Sequence, residues 1–279
     1  MSLFICPVCG GSLAQGSQGH SLLCPRGHCY DLAREGYVNL LLSNQRGAKN
    51  PGDNKQMVAA RRRFLDKGYY QPLASRLSEL VAGRAQRWGR ERPVLLDAGC
   101  GEGYYTVQMA SALSSVCPQS QTAGIDISKW AVAAACRRDS SVRYAVDSLN
   151  HIPLGEATAD GLTNIFAPLV PQEFHRVLRP GGTLILAIPG PEHLWELKSA
   201  IYDHPYPNQP EDAALDGFVL ESQESLAGTI RLDCREDIAS LFAMTPYFWK
   251  TSPADAAKLD NLSALSVRYA FTLLIYRRG

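Results

Sequence analysis

The chain has 279 residues, 46% hydrophobic and 20% charged, with a formal net charge of +1, which is ordinary for a soluble globular protein of one large domain or one domain with a small appendage. No apolar run approaches the roughly 20 residues that cross a bilayer, and the start Met1-Ser2-Leu3-Phe4-Ile5-Cys6 lacks the regions of a signal peptide, so no membrane and a cytoplasmic location are expected. The small net charge hides a split: residues 1–92 carry 14 Lys and Arg against 6 Asp and Glu, and residues 93–279 carry 14 against 21, so either the first third faces a polyanion, the favoured reading, or two halves neutralise each other across an interface.

Residues 1–40 are short, turn-rich and punctuated by Cys6, Cys9, Cys24 and Cys29, four of the eight cysteines. Clustered cysteines in a cytosolic chain mean metal or redox chemistry before disulfides. Cys6-Pro7-Val8-Cys9 and Cys24-Pro25-Arg26-Gly27-His28 give C-x2-C-x14-C-x3-H, the ligand set of a closed, structural, tetrahedral Zn2+. Cys29 stands next to His28, and spacing alone leaves either as the fourth ligand. An arm this short lacks a core, so the metal would supply most of its folding free energy.

Residues 41–52 are polar with turn signals and are expected to form a linker or mobile loop. Asp53 is expected to cap a helix running to about Leu65, with Met57, Ala60 and Phe64 on one face and the run Arg61-Arg62-Arg63 suited to RNA phosphates or to a solvated face. Gly68 ends it, and Pro72 opens a second helix to about Ala82.

From Pro93 strands and helices alternate. Strands are expected at 94–98, 122–126, 142–145, 160–166 and 183–188, with helices at 103–113, 128–137 and 171–178. Residues 203–218 form a Pro-rich, acidic insertion, and the tail offers a strand near 218–232, a helix near 235–244 and a strand at 266–276. This is an α/β fold, a mostly parallel sheet with helices on both faces and a reversed last hairpin.

The most informative run is Val94-Leu95-Leu96-Asp97-Ala98-Gly99-Cys100-Gly101-Glu102-Gly103. A strand feeding a glycine loop presents a nucleoside cofactor at the carboxyl end of the sheet. The spacing is G-x-G-x-G with Asp97 two residues ahead, and Asp126 ends the next strand, where an acid accepts the ribose hydroxyls. With the Arg179-Pro180-Gly181-Gly182 turn this favours S-adenosylmethionine over a nicotinamide dinucleotide. Asp97, Gly99, Gly101, Glu102 and Gly103 are placed around the methionine part. Asp147, after the third strand, is placed at the adenine amino group. A helix cap for Asp97 and a turn acid for Asp147 are the plainer alternatives. Asn164-Ile165-Phe166-Ala167-Pro168 replaces the Asn/Asp-Pro-Pro-Tyr run frequent in methyltransferases acting on exocyclic amines, which argues against adenine N6 as the target.

Several blocks resemble the bacterial 23S ribosomal RNA guanine-N1 methyltransferase family across nearly the whole chain. They include the cysteine arm, Asp31-Leu32-Ala33-Arg34-Glu35-Gly36-Tyr37-Val38-Asn39-Leu40, Pro51-Gly52-Asp53, Tyr70-Gln71-Pro72-Leu73, Gly101-Glu102-Gly103-Tyr104-Tyr105 and Pro189-Gly190-Pro191 with His193-Leu194. The resemblance implies a class I S-adenosylmethionine-dependent methyltransferase, a Rossmann-like seven-stranded sheet with a small N-terminal zinc-binding β-ribbon domain. The division would be a zinc-binding RNA-recognition arm at 1–40, a linker and basic helices at 41–92 and the methyltransferase domain at 93–279.

The same resemblance implies Cys6, Cys9, Cys24 and His28 as zinc ligands and Tyr70 and His193 as cofactor contacts. It implies a 23S rRNA hairpin as partner and a homodimer. The Gly-Glu-Gly-Tyr-Tyr block is closer to the guanine(745) branch than to the guanine(748) macrolide-resistance branch. Phe166 and Leu169 depart from near relatives and bear on which guanine is chosen. N1 of guanine carries a proton, so a base is needed; Asp53, Glu102 and Asp147 are the candidates, and the catalytic base is left unassigned. A small-molecule methyltransferase and a non-enzymatic zinc-ribbon RNA-binding module are the competing readings.

Overall fold

The computed structural model describes residues 2–45, 51–209 and 213–279; positions 46–50 of the expected loop and 210–212 of the expected insertion lie outside them. The arm is a three-stranded antiparallel ribbon of β1 (Ala14–Gln15), β2 (Ser21–Leu23) and β3 (Cys29–Asp31). A fourth strand, β4 (Val38–Asn39), leaves the arm. Two helices follow, α1 (Lys55–Asp66) and α2 (Gln71–Trp88).

Asn54, not Asp53, caps α1: its side chain accepts a hydrogen bond from the Met57 N–H at 3.0 Å. Asp53 is turned away to Arg61, 2.9 Å distant, and its carbonyl accepts from the Ser128 hydroxyl. The second helix runs six residues past Ala82, to Trp88. Its apolar face continues through buried Ala85 to Trp88, whose ring lies against Gly161 and whose indole N–H donates to Thr183. That packing outweighs the helix cost of Gly83, and Gly89, at φ 58°, closes the helix in the left-handed region.

The alternating part runs β5 (Val94–Ala98), α3 (Tyr104–Val116), β6 (Gln121–Asp126), α4 (Lys129–Arg138), β7 (Arg143–Val146), β8 (Ala159–Ile165), α5 (Pro171–Val177) and β9 (Leu178–Pro189). Next come α6 (Trp195–Ile201), β10 (Phe218–Leu232), α7 (Arg235–Ala243), the one-turn helices α8 (Tyr247–Lys250) and α9 (Pro253–Ala256), and β11 (Leu265–Arg278). Sequence periodicity had not assigned α6, α8 and α9, which are too short to show one.

The seven expected strands form one sheet, with β4 added as an eighth at its edge, in the order β10-β11-β9-β8-β5-β6-β7-β4. Pairing is parallel from β4 through β9 and antiparallel at β9–β11 and β11–β10. The strand order reverses at β5, whose two neighbours are β6 and β8, and a crevice outside the carboxyl ends of the strands is where such a sheet takes a ligand.

One face of the sheet packs on α2, α3, α6 and α7, through Leu73, Leu77, Met109, Leu113, Ile201 and Leu241. On the other, Phe4, Leu13 and Leu22 of the arm join Leu96, Ala98, Phe174 and Leu184 in one core. The Ile5 N–H donates to the Pro153 carbonyl at 2.9 Å. The arm is therefore docked on the sheet by a shared core, a backbone hydrogen bond and strand β4.

The charge split is partly neutralised in place. Lys67–Asp237, Arg76–Glu224, Arg84–Glu221 and Arg90–Asp160 all pair a cation before residue 92 with an acid after it. The interface reading thus accounts for four of the twelve of those cations that lie among the described residues. Of the arginine run, Arg61 pairs with Asp53 and Arg62 with Asp66, which leaves Arg63 exposed.

Candidate functional site

The arm turns of the first and second cysteine pairs face each other. Ligand atoms of Cys6, Cys9, Cys24 and His28 all lie within 4.8 Å of one another. Cys9 Sγ and Cys24 Sγ are 3.7 Å apart, and His28 Nδ1 is 3.5 Å from Cys6 Sγ and 3.3 Å from Cys24 Sγ. Two ligands of one tetrahedral Zn2+ stand roughly 3.5–3.8 Å apart, close to these three separations, so the donor set suits that ion. Cys29, the first residue of β3, lies outside the cluster and is exposed, whereas His28 just before the strand is in it. Tyr30 Oη sits 3.1 Å from Cys6 Sγ. Burial alone would raise the Cys6 thiol, but hydrogen bonds from Tyr30 and the backbone of Val8 and Cys9 bring it down to about 6. A thiolate poised in this way is what a metal ligand requires.

The glycine loop leaves β5 with Gly99, Gly101 and Gly103 all at positive φ (87°, 55° and 86°). The three have different reasons. A Cβ on Gly99 would lie 2.4 Å from Ala167 Cβ, and one on Gly103 2.9 Å from Ala135 Cβ. Gly101 has nothing within 4 Å, so its backbone borders open space that a ligand can fill.

Asp97 lies under this loop, 2% exposed, and its two oxygens accept from the Thr106 and Thr163 hydroxyls. Burial pushes its carboxyl up to about 6, against those two hydrogen bonds. Asp126 ends β6 and accepts from the Gly101 N–H at 3.0 Å and the Ser128 N–H at 2.8 Å; burial raises it as well. Asp147 follows β7. One oxygen accepts from the Ser148 N–H at 2.8 Å, while Oδ2 is buried without a partner, and burial pushes the group up to about 7. Such an orphaned acceptor is rare in a native interior and suits the amino group of an adenine.

Glu102 of the same loop is tied to a helix. Its Oε2 accepts from Arg138 Nε at 2.6 Å, and Arg138 Nη2 donates to Asp66 at 2.6 Å. Burial nevertheless leaves the Glu102 carboxyl above its usual range, and Oε1 has no partner. The residue braces the loop against α4 and α1.

Beside the loop, at the carboxyl ends of β8 and β9, opens a cavity of about 1010 Å3 lined by Asp53, Arg61, Tyr70, Phe166, His193 and Tyr247, among others. Tyr70 is buried with its hydroxyl unpartnered, edge-on to Phe64 and Phe271. His193 Nδ1 accepts from the Ala270 N–H at 3.3 Å. Burial, helped by the charge of Lys198, lowers its pKa to about 3, so the ring is neutral and carries its proton on Nε2. Tyr70 and His193 thus meet, 6.2 Å between centroids, although they are far apart in sequence. Spacing alone had no means of pairing them; only the family resemblance pointed to them. The structure also adds the aromatics Tyr202, Tyr206, Tyr247 and Trp249 around the cavity mouth, which periodicity did not single out. Of the three acids considered as bases, Asp53 alone lines the cavity.

A second groove, between α1 and α4, is lined by Glu35, Lys55, Arg62, Trp130 and Arg137. Lys55 Nζ and Lys129 Nζ lie 4.3 and 4.7 Å from the Trp130 ring centroid. Both ammonium groups are thus within cation–π reach of the indole.

The chain resembles known proteins in both parts. Residues 4–49 match the zinc-ribbon family described as "RlmA, N-terminal", and residues 95–182 match the family described as "Methyltransferase domain". A 23S rRNA (guanine(748)-N(1))-methyltransferase of Streptomyces fradiae is 35% identical over 96% of this chain and 95% of its own length. A protein of Micromonospora griseorubida, provisionally named a 23S rRNA (guanine-N1)-methyltransferase, is 35% identical over 98% and 96%. One of Bacillus subtilis with the same provisional name is 32% identical over 98% and 96%.

Proposed function

The chain belongs to the 23S rRNA (guanine-N1)-methyltransferase family, and from that premise we propose that it transfers a methyl group from S-adenosylmethionine to N1 of a guanine in a 23S rRNA hairpin loop. The observation that carries this is the joint match of zinc ribbon and methyltransferase sheet along nearly the full length. The cofactor supplies an electrophilic methyl on a sulfonium. Asp126 would receive the ribose hydroxyls, Asp147 Oδ2 the adenine amino group, and the Gly99–Gly103 backbone the methionine end. Asp97 would hold the loop in shape from below, and Tyr70 and His193 would close the crevice on the cavity side. Zn2+ on Cys6, Cys9, Cys24 and His28 is structural, because four protein ligands leave no open position.

Guanine N1 faces its pairing partner in a duplex, so the target must be unpaired or extruded. Asp53, at the cavity wall, is the best placed of the three acids to take the N1 proton. Exposed cations outside ion pairs, among them Arg63 with Arg26 and Arg34 of the arm, and the groove at Trp130 would form the RNA-facing side. The target within the hairpin is of the guanine(745) type, after the Gly-Glu-Gly-Tyr-Tyr block. The Streptomyces fradiae relative favours guanine(748) as the second reading. Among the described residues no helix is long and apolar enough to cross a membrane; a cytoplasmic enzyme acting as a homodimer is the expectation, the dimer checked by light scattering.

The test is incubation with labelled cofactor and 23S rRNA from a strain lacking the modification, followed by primer extension. N1 methylation blocks pairing, so a new stop is expected in that hairpin, and its position separates the two guanines. Label incorporation without a stop there would defeat the proposal.

A further inference from the structure

Phe166 stands in a conformation that a phenylalanine avoids. Its φ is +54°, one of three non-glycine residues at positive φ among those described, and such a backbone is strained and is kept where the surroundings enforce it. Here they do. The Phe166 N–H is held by the Ala187 carbonyl at 3.0 Å, and the next residue, Ala167, is pressed against Gly99 of the cofactor loop. The result is a ring that does not enter the core. It is 39% exposed, lines the cavity of about 1010 Å3, lies near-parallel to His193 (22°, 6.3 Å between centroids) and rests on Phe271.

Extended or helical geometry at residue 166 would spare the strain, so the turn is retained for where it puts the ring: one residue from the contact with the glycine loop, with its side toward the cavity. A cavity at the upper end of the roughly 300–1,000 Å3 of small-molecule sites admits a nucleotide. An exposed aromatic ring held rigidly at its wall is the feature on which an extruded base stacks.

We propose that Phe166 is the stacking platform for the target guanine, set beside the cofactor by the left-handed turn at the end of β8. This deepens the function proposed above and rests on it. His193 backs the ring from within the protein. Stacking holds the plane of the guanine while leaving its N1 edge free, and it does not distinguish guanine from other bases; its contribution is to position rather than to select.

The experiment uses the full-length, zinc-loaded protein and a 23S rRNA hairpin transcript containing both candidate guanines. Phe166→Leu keeps apolar bulk but removes the π face, Phe166→Tyr keeps the ring, and Phe166→Gly removes the side chain while relieving the backbone strain. Base–aromatic stacking of about 1–3 kcal/mol predicts that Phe166→Leu and Phe166→Gly lose roughly 5- to 150-fold in kcat/KM for RNA. Phe166→Tyr is expected to stay within about threefold. S-adenosylmethionine affinity by calorimetry should change less than about twofold in all three, and Phe166→Gly should melt no lower than Phe166→Leu. Full activity of Phe166→Leu would overturn the inference while leaving the function intact. Equal loss of cofactor affinity would also overturn it, by assigning the ring to the cofactor. If the parent protein does not methylate the hairpin at all, the function itself falls and this inference with it.

Discussion

The arm and the sheet reach order by different means. Strands β5 and β8 are buried along their whole length, and their position is secured by apolar burial on both faces, as expected of central parallel strands. The arm has strands of two or three residues and few buried side chains. It is held by four ligand atoms and by a small apolar patch that it shares with the sheet. A metal can order a segment that burial cannot, and it leaves that segment's outer surface available for RNA. The sheet, by contrast, spends its carboxyl end on the cofactor.

The largest effect should come from the metal. Structural Zn2+ contributes an apparent 10–16 kcal/mol or so in small zinc modules. Chelation, or Cys9→Ala, should abolish amide exchange protection over the arm while β5 and β8 remain protected, as read by hydrogen-exchange mass spectrometry. Persistent protection of the arm would mean that docking on the sheet suffices, and the contrast between the two regions would fail.

Beside the sheet, the glycine loop is tied to α4 by the Arg138–Glu102 pair, 2.6 Å apart with Glu102 1% exposed. Arg138→Ala strands a buried carboxylate and should cost about 3–5 kcal/mol in urea unfolding. The deficit should shrink on acidification, because protonating Glu102 removes the unpaired charge. A deficit independent of pH would reassign Arg138 to packing.

Asp147 gives a smaller, pH-dependent effect. Burial holds its folded pKa at about 7, above an unfolded value near 3.9. The native state therefore keeps a proton that the unfolded chain releases, and stability falls as pH rises from about 4 to about 7. Asp147→Asn should remove part of that slope, gaining on the parent at pH 8 relative to pH 4; Asp97, pushed up to about 6, and the raised Asp126 and Glu102 act in the same direction and stay in place. Urea midpoints at the two pH values check this, and an unchanged difference would contradict it. The smallest effect is electrostatic: Arg63→Ala should lower the slope of log affinity for the hairpin against log salt by about 1, and an unchanged slope would remove Arg63 from the RNA-facing surface.

What could be read from the residues follows the range of the interactions. The alternating strands and helices, the reversed hairpin and the glycine loop are local patterns, and the structure carries them with shifts of a few residues. The zinc ligands are also local, two turns of fixed spacing; His28 and Cys29 were separable only once the fold placed them. The rest depends on contacts between side chains that no local pattern brings together. Asp53 was expected to cap a helix and instead meets Arg61 at the cavity. Glu102, placed in the cofactor loop, also reaches to Arg138 of α4 through one oxygen. The addition of β4 to the sheet edge and the gathering of Tyr70, Phe166 and His193 have no periodic signature at all.

The account assigns RNA recognition to the metal-held arm and cofactor binding to the burial-held sheet. Parallel titrations of zinc-loaded and zinc-depleted protein, one with the 23S rRNA hairpin and one with S-adenosylmethionine, test that division most directly. The expected result is a loss of at least tenfold in hairpin affinity with cofactor affinity within about twofold. Unchanged hairpin affinity, or an equal loss of both, would contradict it.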